Sequence, residues 1–294
     1  MRAKIKSLSM LPKYKAMSSW WEHVPIGHWL IEKIQPERVV ELGTHYGVSF
    51  FCFCEAAEQY SPNTFVYAVD TWEGDKQAGQ YGEEVFEKVN EYQQKNHKLR
   101  SRLIQSSFDE AVTHFGKKSL DVIHIDGLHT YEAVSHDYNT WKGMLKENGT
   151  LIFHDCNVRE GDFGVWKLWE EIKLSDEYWC IELKNGHGLG IATRGINKPE
   201  WHEELVECLD ELKAKGSLLS ELDRQQQKLD SQNHEIAELK NQIDRLDKHI
   251  DRLDKHNAEQ IKIIRHLSKN KIARLIKKVI RMISEHLSLI RARF

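Results

Sequence analysis

The chain has little of what staples or anchors a protein. Its five cysteines are odd in number and follow neither a metal-ligand spacing nor a secreted disulfide framework, which excludes a disulfide scaffold and suits a reducing, cytoplasmic setting. Cys52 and Cys54 fall in an apolar helical stretch, where burial explains them. No run approaches the roughly 18 apolar residues needed to span a bilayer. The N-terminus is basic at Arg2, Lys4, Lys6, Lys13 and Lys15, but it lacks the continuous apolar stretch of a signal peptide. Also missing is the GxGxxG spacing that seats a pyrophosphate on a helix N-terminus.

What is present centres on residues 121–155. The apolar runs Val122 to Ile125 and Leu151 to Phe153 read as buried parallel strands, while Tyr131, Val134, Tyr138, Trp141 and Leu145 keep helical spacing. A strand, helix, strand unit sends the carboxyl ends of both strands to one edge, where open α/β sheets bind ligands. Asp126, His129, His154 and Asp155 are therefore expected to converge there. His124 lies within a strand and reads as a core residue; His45 and His187 are open to either reading.

Upstream, VVELGTHYGVSF (39–50) reads as a strand, a glycine loop and a helix start. Glu41 ends the strand, Gly43 permits a tight turn, and Gly47 allows close approach to the sheet or a ligand. The next strand, from Phe65, ends in Asp70, where nucleoside-binding α/β folds hold a carboxylate for ribose hydroxyls. Trp179 to Leu183 and Leu189 to Thr193 flank Asn185-Gly186-His187-Gly188 and read as a hairpin closing the sheet. An α/β sheet with a terminal antiparallel hairpin favours S-adenosylmethionine over a dinucleotide.

Between about residues 18 and 195 the chain resembles class I S-adenosylmethionine-dependent methyltransferases of the bacterial glycan-cluster type, related to macrocin O-methyltransferase and cephalosporin-hydroxylase-like proteins. The carriers are WWEHVPIGHWL, VVELGTHYGVSF, AVDTWEGD, HIDGLHTYEAVSHD, LIFHD, FGVWKLW and GHGLGIAT. The resemblance implies a Rossmann-like sheet. It also implies donor contacts from Glu41, Gly43, Thr44, Gly47, Ser49, Asp70, Ser107, Phe108 and Asp126, with Trp72 or Phe108 flanking the adenine. It further implies a divalent metal, magnesium in that group, held by Asp126 and Asp155, with His129 as base. His154 stands where those enzymes carry a carboxylate, and it joins the metal set here.

The residue types suit the chemistry. A sulfonium donor is already activated, so an O-methyltransferase must align a hydroxyl with the methyl group and remove its proton. A cation on that oxygen lowers its pKa, and a histidine then takes the proton. Two other classes compete: an oligomeric scaffold that has lost the donor site, and a non-haem iron hydroxylase, for which His and Asp ligands are suited. Acceptor contacts are expected on the loops 74–82 and 159–164.

After Arg194 the sequence turns charged, helical and nearly free of glycine. Leu222, Leu229, Ile236, Ile243 and Ile250 recur every seven residues, with Leu239, Leu246 and Leu253 at the companion position, and DRLDKHI (244–250) repeats as DRLDKHN (251–257). Isoleucine at one seam position and leucine at the other favour a parallel two-stranded coiled coil, with Asn257 fixing register. From residue 261 to the end, ten Lys and Arg against one acid give +9, which leaves −12 for the rest of the formal −3. Ile272, Leu275, Ile276, Val279, Ile280, Ile283, Leu287, Ile290 and Phe294 form one apolar face of that tail. A basic amphipathic helix of this kind suits an anionic membrane surface or a partner enzyme. Nucleic acid is disfavoured because the tail has no stacking aromatics before Phe294.

The expected organisation is a basic N-terminal segment (1–17), a methyltransferase domain (18–196), a coiled-coil stalk (203–270) and a basic amphipathic helix (271–294). The expected activity is O-methylation of a sugar hydroxyl or glycan terminus, such as a lipid-linked O-antigen. A homo-oligomer held at the inner face of the cytoplasmic membrane, beside a glycosyltransferase, completes the expectation.

Overall fold

A computed structural model describes residues 5–77 and 79–291. The chain forms two compact units, one up to Gln227 and one from Lys228 onward.

In the first unit, helix α1 (Val24–Ile34) precedes strand β1 (Arg38–Leu42), helix α2 (Val48–Tyr60) and strand β2 (Phe65–Asp70). A two-stranded ribbon, β3 (Gly74–Asp75) with β4 (Gly79–Gln80), leads to α3 (Glu83–Asn96), β5 (Ser101–Gln105), α4 (Phe108–Ala111) and β6 (Leu120–Ile125). Then come α5 (Tyr131–Trp141), β7 (Leu145–His154), α6 (Val165–Leu174), β8 (Tyr178–Leu183) and β9 (Leu189–Arg194). The main sheet runs β5-β2-β1-β6-β7-β9-β8. The first five strands are parallel, and β9 lies antiparallel between β7 and β8. This is the Rossmann-like sheet of class I methyltransferases, closed by the expected hairpin.

Alternate strand residues face opposite cores. Val39, Val66, Val122 and Ile152 join one cluster with α1, α2 and α3. Val40, Val69, Ile123 and Leu151 join the other with α5 and α6. Covering both faces explains why the parallel strands read as unbroken apolar runs. Helix α5 is shorter than its spacing suggests, because a 3-10 turn at Lys142–Met144 follows Trp141. Leu145 therefore starts β7, with its side chain fully buried in the second core.

The N-terminal segment is part of the body. Met10 is buried, Ser7 N–H donates to Glu32, and the N–H groups of Lys13 and Tyr14 donate to Glu55. Arg2 and Lys4 lie outside the described residues. The body also runs past the boundary expected at 196, because the last helix, α7 (His202–Arg291), begins inside it. Leu205, Cys208 and Leu212 are buried in the first core. Gly216 touches the chain so closely that an added Cβ would meet the Glu22 carbonyl oxygen at 2.1 Å.

The second unit is the remainder of α7. Its seam residues Leu229, Ile236, Leu239, Ile243, Leu246, Ile250 and Leu253 are all exposed. Among the described residues no helix is long and apolar enough to cross a membrane, and this corrects the expectation of membrane association. Of the apolar tail face, Phe294 and the side chains of Leu287 and Ile290 lie outside what is described.

Burial pushes the Asp137 carboxyl of α5 up to about 7, with His136 opposing and Asp109 adding to the rise. A raised folded-state pKa means that stability present below about pH 4 is lost as pH climbs through 7. Asp137→Asn should therefore unfold at higher denaturant concentration than the parent at pH 8, by on the order of 1–3 kcal/mol, with the gap closing near pH 4. Urea titrations at the two pH values check this.

Candidate active site

The parallel strands end at one edge, and their registers bring the loops that follow them together. Leu42 of β1 pairs with Val69 of β2 and with Ile125 of β6, so Gly43, Asp70 and Asp126 leave the sheet at the same level. These loops and the N-terminal segment line a cavity of about 500 Å³. Gly43, Thr44, Gly47, Ser49, Asp70, Ser107, Phe108, Asp126, His129 and Asp155, all expected, line it.

Gly43 has φ +86°, and an added Cβ would lie 2.1 Å from the Asp126 carbonyl oxygen, so only glycine lets the β1 loop cross the β6 loop. Asp70 holds the same loop from the other side. Its Oδ2 accepts from Thr44 N–H (2.8 Å) and His45 N–H (2.9 Å), and its Oδ1 accepts from Trp72 N–H (2.8 Å). A carboxylate offers about four acceptor sites. Asp70 is therefore chiefly a brace for the glycine loop, with one acceptor site left for a ligand hydroxyl.

Three expected residues, Glu41, Trp72 and the buried His154, stand apart from the cavity wall. Glu41 is fully buried beneath it, where its Oε2 accepts from His124 Nδ1 (2.9 Å) while His124 Nε2 accepts from the Trp20 indole (3.3 Å). His124 is thus the partnered core residue expected, and burial raises the Glu41 carboxyl above its ordinary value although His124 opposes it. Trp72 is 1 % exposed, packs against Phe86, and donates its indole N–H to the His45 carbonyl. Of the two aromatics expected at the adenine, Phe108, beside Gly127, is the one that reaches the cavity.

Opposite the glycine loop lies a dense polar cluster. His129 Nε2 is 2.9 Å from Asp155 Oδ2 and 3.4 Å from Asp126 Oδ1. His154 Nδ1 is 3.2 Å from both Asp126 Oδ1 and Asp155 Oδ2. His187 Nδ1 is 2.9 Å from Asp155 Oδ1. Burial disfavours charge on either histidine, yet the two carboxylates prevail and raise His129 to about 9 and His154 to about 10. Burial likewise opposes the charge on Asp126 and Asp155, but the imidazoles, His154 first, hold both well below the usual carboxylate range. Two anions and two imidazole nitrogens converge here, so positive charge, as protons or a metal ion, must lie among them. Asp126, His154 and Asp155 offer ligand atoms within 4.8 Å of one another. Asp155 sits at φ +60°, a left-handed backbone of the kind stored at functional sites.

Sequence reasoning missed several neighbours. Gln77 Oε1 accepts from His129 N–H (3.0 Å) and lies 2.9 Å from its Nδ1, while the Gln77 amide donates to Asp162 (2.6 Å). This ties together the two loops expected to meet the acceptor. Phe163 stacks on His129 at 4.9 Å. Met17, Ser18 and Ser19 reach the cavity from the N-terminal segment. His23 is wholly buried with its ring 5.3 Å from that of His154. Both His23 nitrogens and His154 Nε2 lack a hydrogen-bond partner among the described residues. Contacts distant in sequence assemble these residues.

Residues 40–156 match a protein-family model described as a methyltransferase domain. An uncharacterized protein of Sinorhizobium fredii, y4gI, is 40% identical over 192 residues, covering 65% of this chain and 20% of that protein, so the chain spans about a fifth of its relative. Among solved structures, a methyltransferase from Geobacter sulfurreducens is 15% identical with a TM-score of 0.48, covering 64% of this chain and 83% of that one. The O-methyltransferase TomG from Streptomyces achromogenes is 12% identical with a TM-score of 0.46, covering 65% and 90%. Neither structural likeness carries the argument further. The family match covers residues 40–156, and the sheet order is that of a class I methyltransferase fold.

Asp70→Asn removes one of the two acceptor oxygens that hold the glycine loop. It should weaken S-adenosylmethionine binding at least tenfold in calorimetric titration, on the order of 1.4 kcal/mol or more, with little change in helix content by circular dichroism.

Proposed function

We propose that this chain transfers the methyl group of S-adenosylmethionine to a hydroxyl of a sugar or glycan terminus. One observation carries the reading: a single cavity holds the glycine loop braced by Asp70 and, facing it, Asp126, His129 and Asp155, with the buried His154 behind the two carboxylates. The first suits a nucleoside donor. The second suits a hydroxyl whose proton must be removed.

In the reaction the methyl carbon leaves the sulfonium sulfur and bonds to the acceptor oxygen, S-adenosylhomocysteine departs, and the hydroxyl proton passes to a base. His129 is the candidate base. Gln77 and Phe163 fix its ring and aim Nε2 at Asp126 and Asp155. In this arrangement His129 is protonated at neutral pH, so it takes a substrate proton only when other positive charge meets the two carboxylates. Well-placed general bases contribute about 10² to 10⁴ in rate. Methyl-labelled donor should transfer label to a hydroxyl-bearing glycan fraction, and His129→Ala should lower the rate within that range while keeping donor affinity. Absence of donor binding by folded protein would refute the reading, and iron-dependent turnover without the donor would favour the hydroxylase.

The same reading includes a dimer. The seam of Leu and Ile from 222 to 253 is exposed, and a second copy in parallel register would cover it. That register sets Glu235 beside Lys240 of the second copy, an attractive pair. The basic tail, net +9 from residue 261, suits an acidic face on an enzyme assembling the same glycan. Sedimentation should give a dimer, and the double substitution Ile243→Asp with Ile250→Asp should give monomers of unchanged donor affinity. Monomers from the parent chain would refute the pairing.

A further inference from the structure

The resemblance leads to magnesium at this site, and the donor set disagrees. Magnesium takes oxygen ligands, demands near-octahedral geometry and keeps several waters. Here an imidazole nitrogen stands between the two carboxylates, with His154 Nδ1 3.2 Å from each. Ligand atoms sharing an ion through bonds of about 2.1 Å lie roughly 3 Å apart, so His154 occupies a ligand position rather than a flank. Its ring has nowhere to go. It is 2 % exposed, is met edge-on by His23 at 5.3 Å and is overlaid by His187 at 6.0 Å. The buried His23 ring beside it, with both nitrogens unpartnered among the described residues, adds further imidazole to the floor.

We propose that Asp126, His154 and Asp155 bind a divalent ion of the imidazole-accepting class, zinc, iron(II), cobalt(II) or nickel(II), and that His154 excludes magnesium. The selection follows from ligand type, since nitrogen donors favour later first-row ions over magnesium. This rests on the methyltransferase reading of the cavity and deepens it. The neighbours fit the role. His187 holds the outer oxygen of Asp155, Oδ1, at 2.9 Å and leaves Oδ2 turned toward His154 and His129.

The test uses the full chain, stripped with chelator and titrated with cobalt(II) chloride while visible absorption is recorded. The expected result is one equivalent of cobalt with a ligand-field band that zinc removes at stoichiometric concentration and magnesium does not remove at a hundredfold excess. His154→Asp, with an oxygen in place of the ring, should weaken cobalt at least tenfold and strengthen magnesium at least tenfold. Should that variant fail to fold by circular dichroism, the displacement series on the parent chain decides alone. Displacement of cobalt by equimolar magnesium would overturn the proposal, and so would absence of any cobalt binding. S-adenosylmethionine titrated into the same samples separates the two levels. Donor binding without metal binding overturns the metal inference and leaves the methyltransferase reading standing, whereas loss of both overturns the pair.

Discussion

Two carboxylates that must stay ionised at the end of a buried sheet organise the working edge of this protein. Asp126 follows β6 and Asp155 follows β7, and parallel pairing of these strands forces their side chains into one small volume. Like charges so close and so buried are tolerable only with compensation. The chain supplies it from His129 in the loop after β6 and His154 at the end of β7, with a hydrogen-bond contact from His187 in the hairpin turn. The surrounding architecture serves that convergence, with Gln77 and Phe163 fixing His129, and the edge-on ring of His23 and the stacked ring of His187 fixing His154.

The donor side depends on a different constraint, the path of the β1 loop. Gly43 crosses against the Asp126 backbone with no room for a side chain, and Asp70 holds the next two amides. The loop is thereby set before any ligand arrives, which lowers the ordering cost of binding. Packing behind it includes elements distant in sequence. The N-terminal segment is tied to α2 through Glu55, and Lys215 of α7 donates to the Ser7 and Met10 carbonyls, so the start of the long helix clamps the start of the chain.

Much of this was legible in the sequence where a local rule acts. The apolar runs, the turn at Gly43, the terminal hairpin and the meeting of Asp126 with His154 and Asp155 all follow from periodicity and from parallel pairing. Leu145 was misread because helical spacing persists through a 3-10 turn into the strand. The resemblance implied donor contacts for Glu41 and Trp72, but both are buried away from the cavity wall. Gln77, His23 and the Met17–Ser19 edge were not singled out, because tertiary contacts bring them to the site, although Gln77 lies in a loop expected to meet the acceptor and His23 in a segment that carries the resemblance. The heptad pattern predicts an apolar seam on α7, and the seam is there, exposed.

The most direct measurement is a crystal structure of the protein with S-adenosylhomocysteine. The account predicts the ribose at Asp70, the adenine beside Phe108, and the sulfur turned toward Asp126 and His129. A ligand bound elsewhere, or with its sulfur directed away from that cluster, would contradict it.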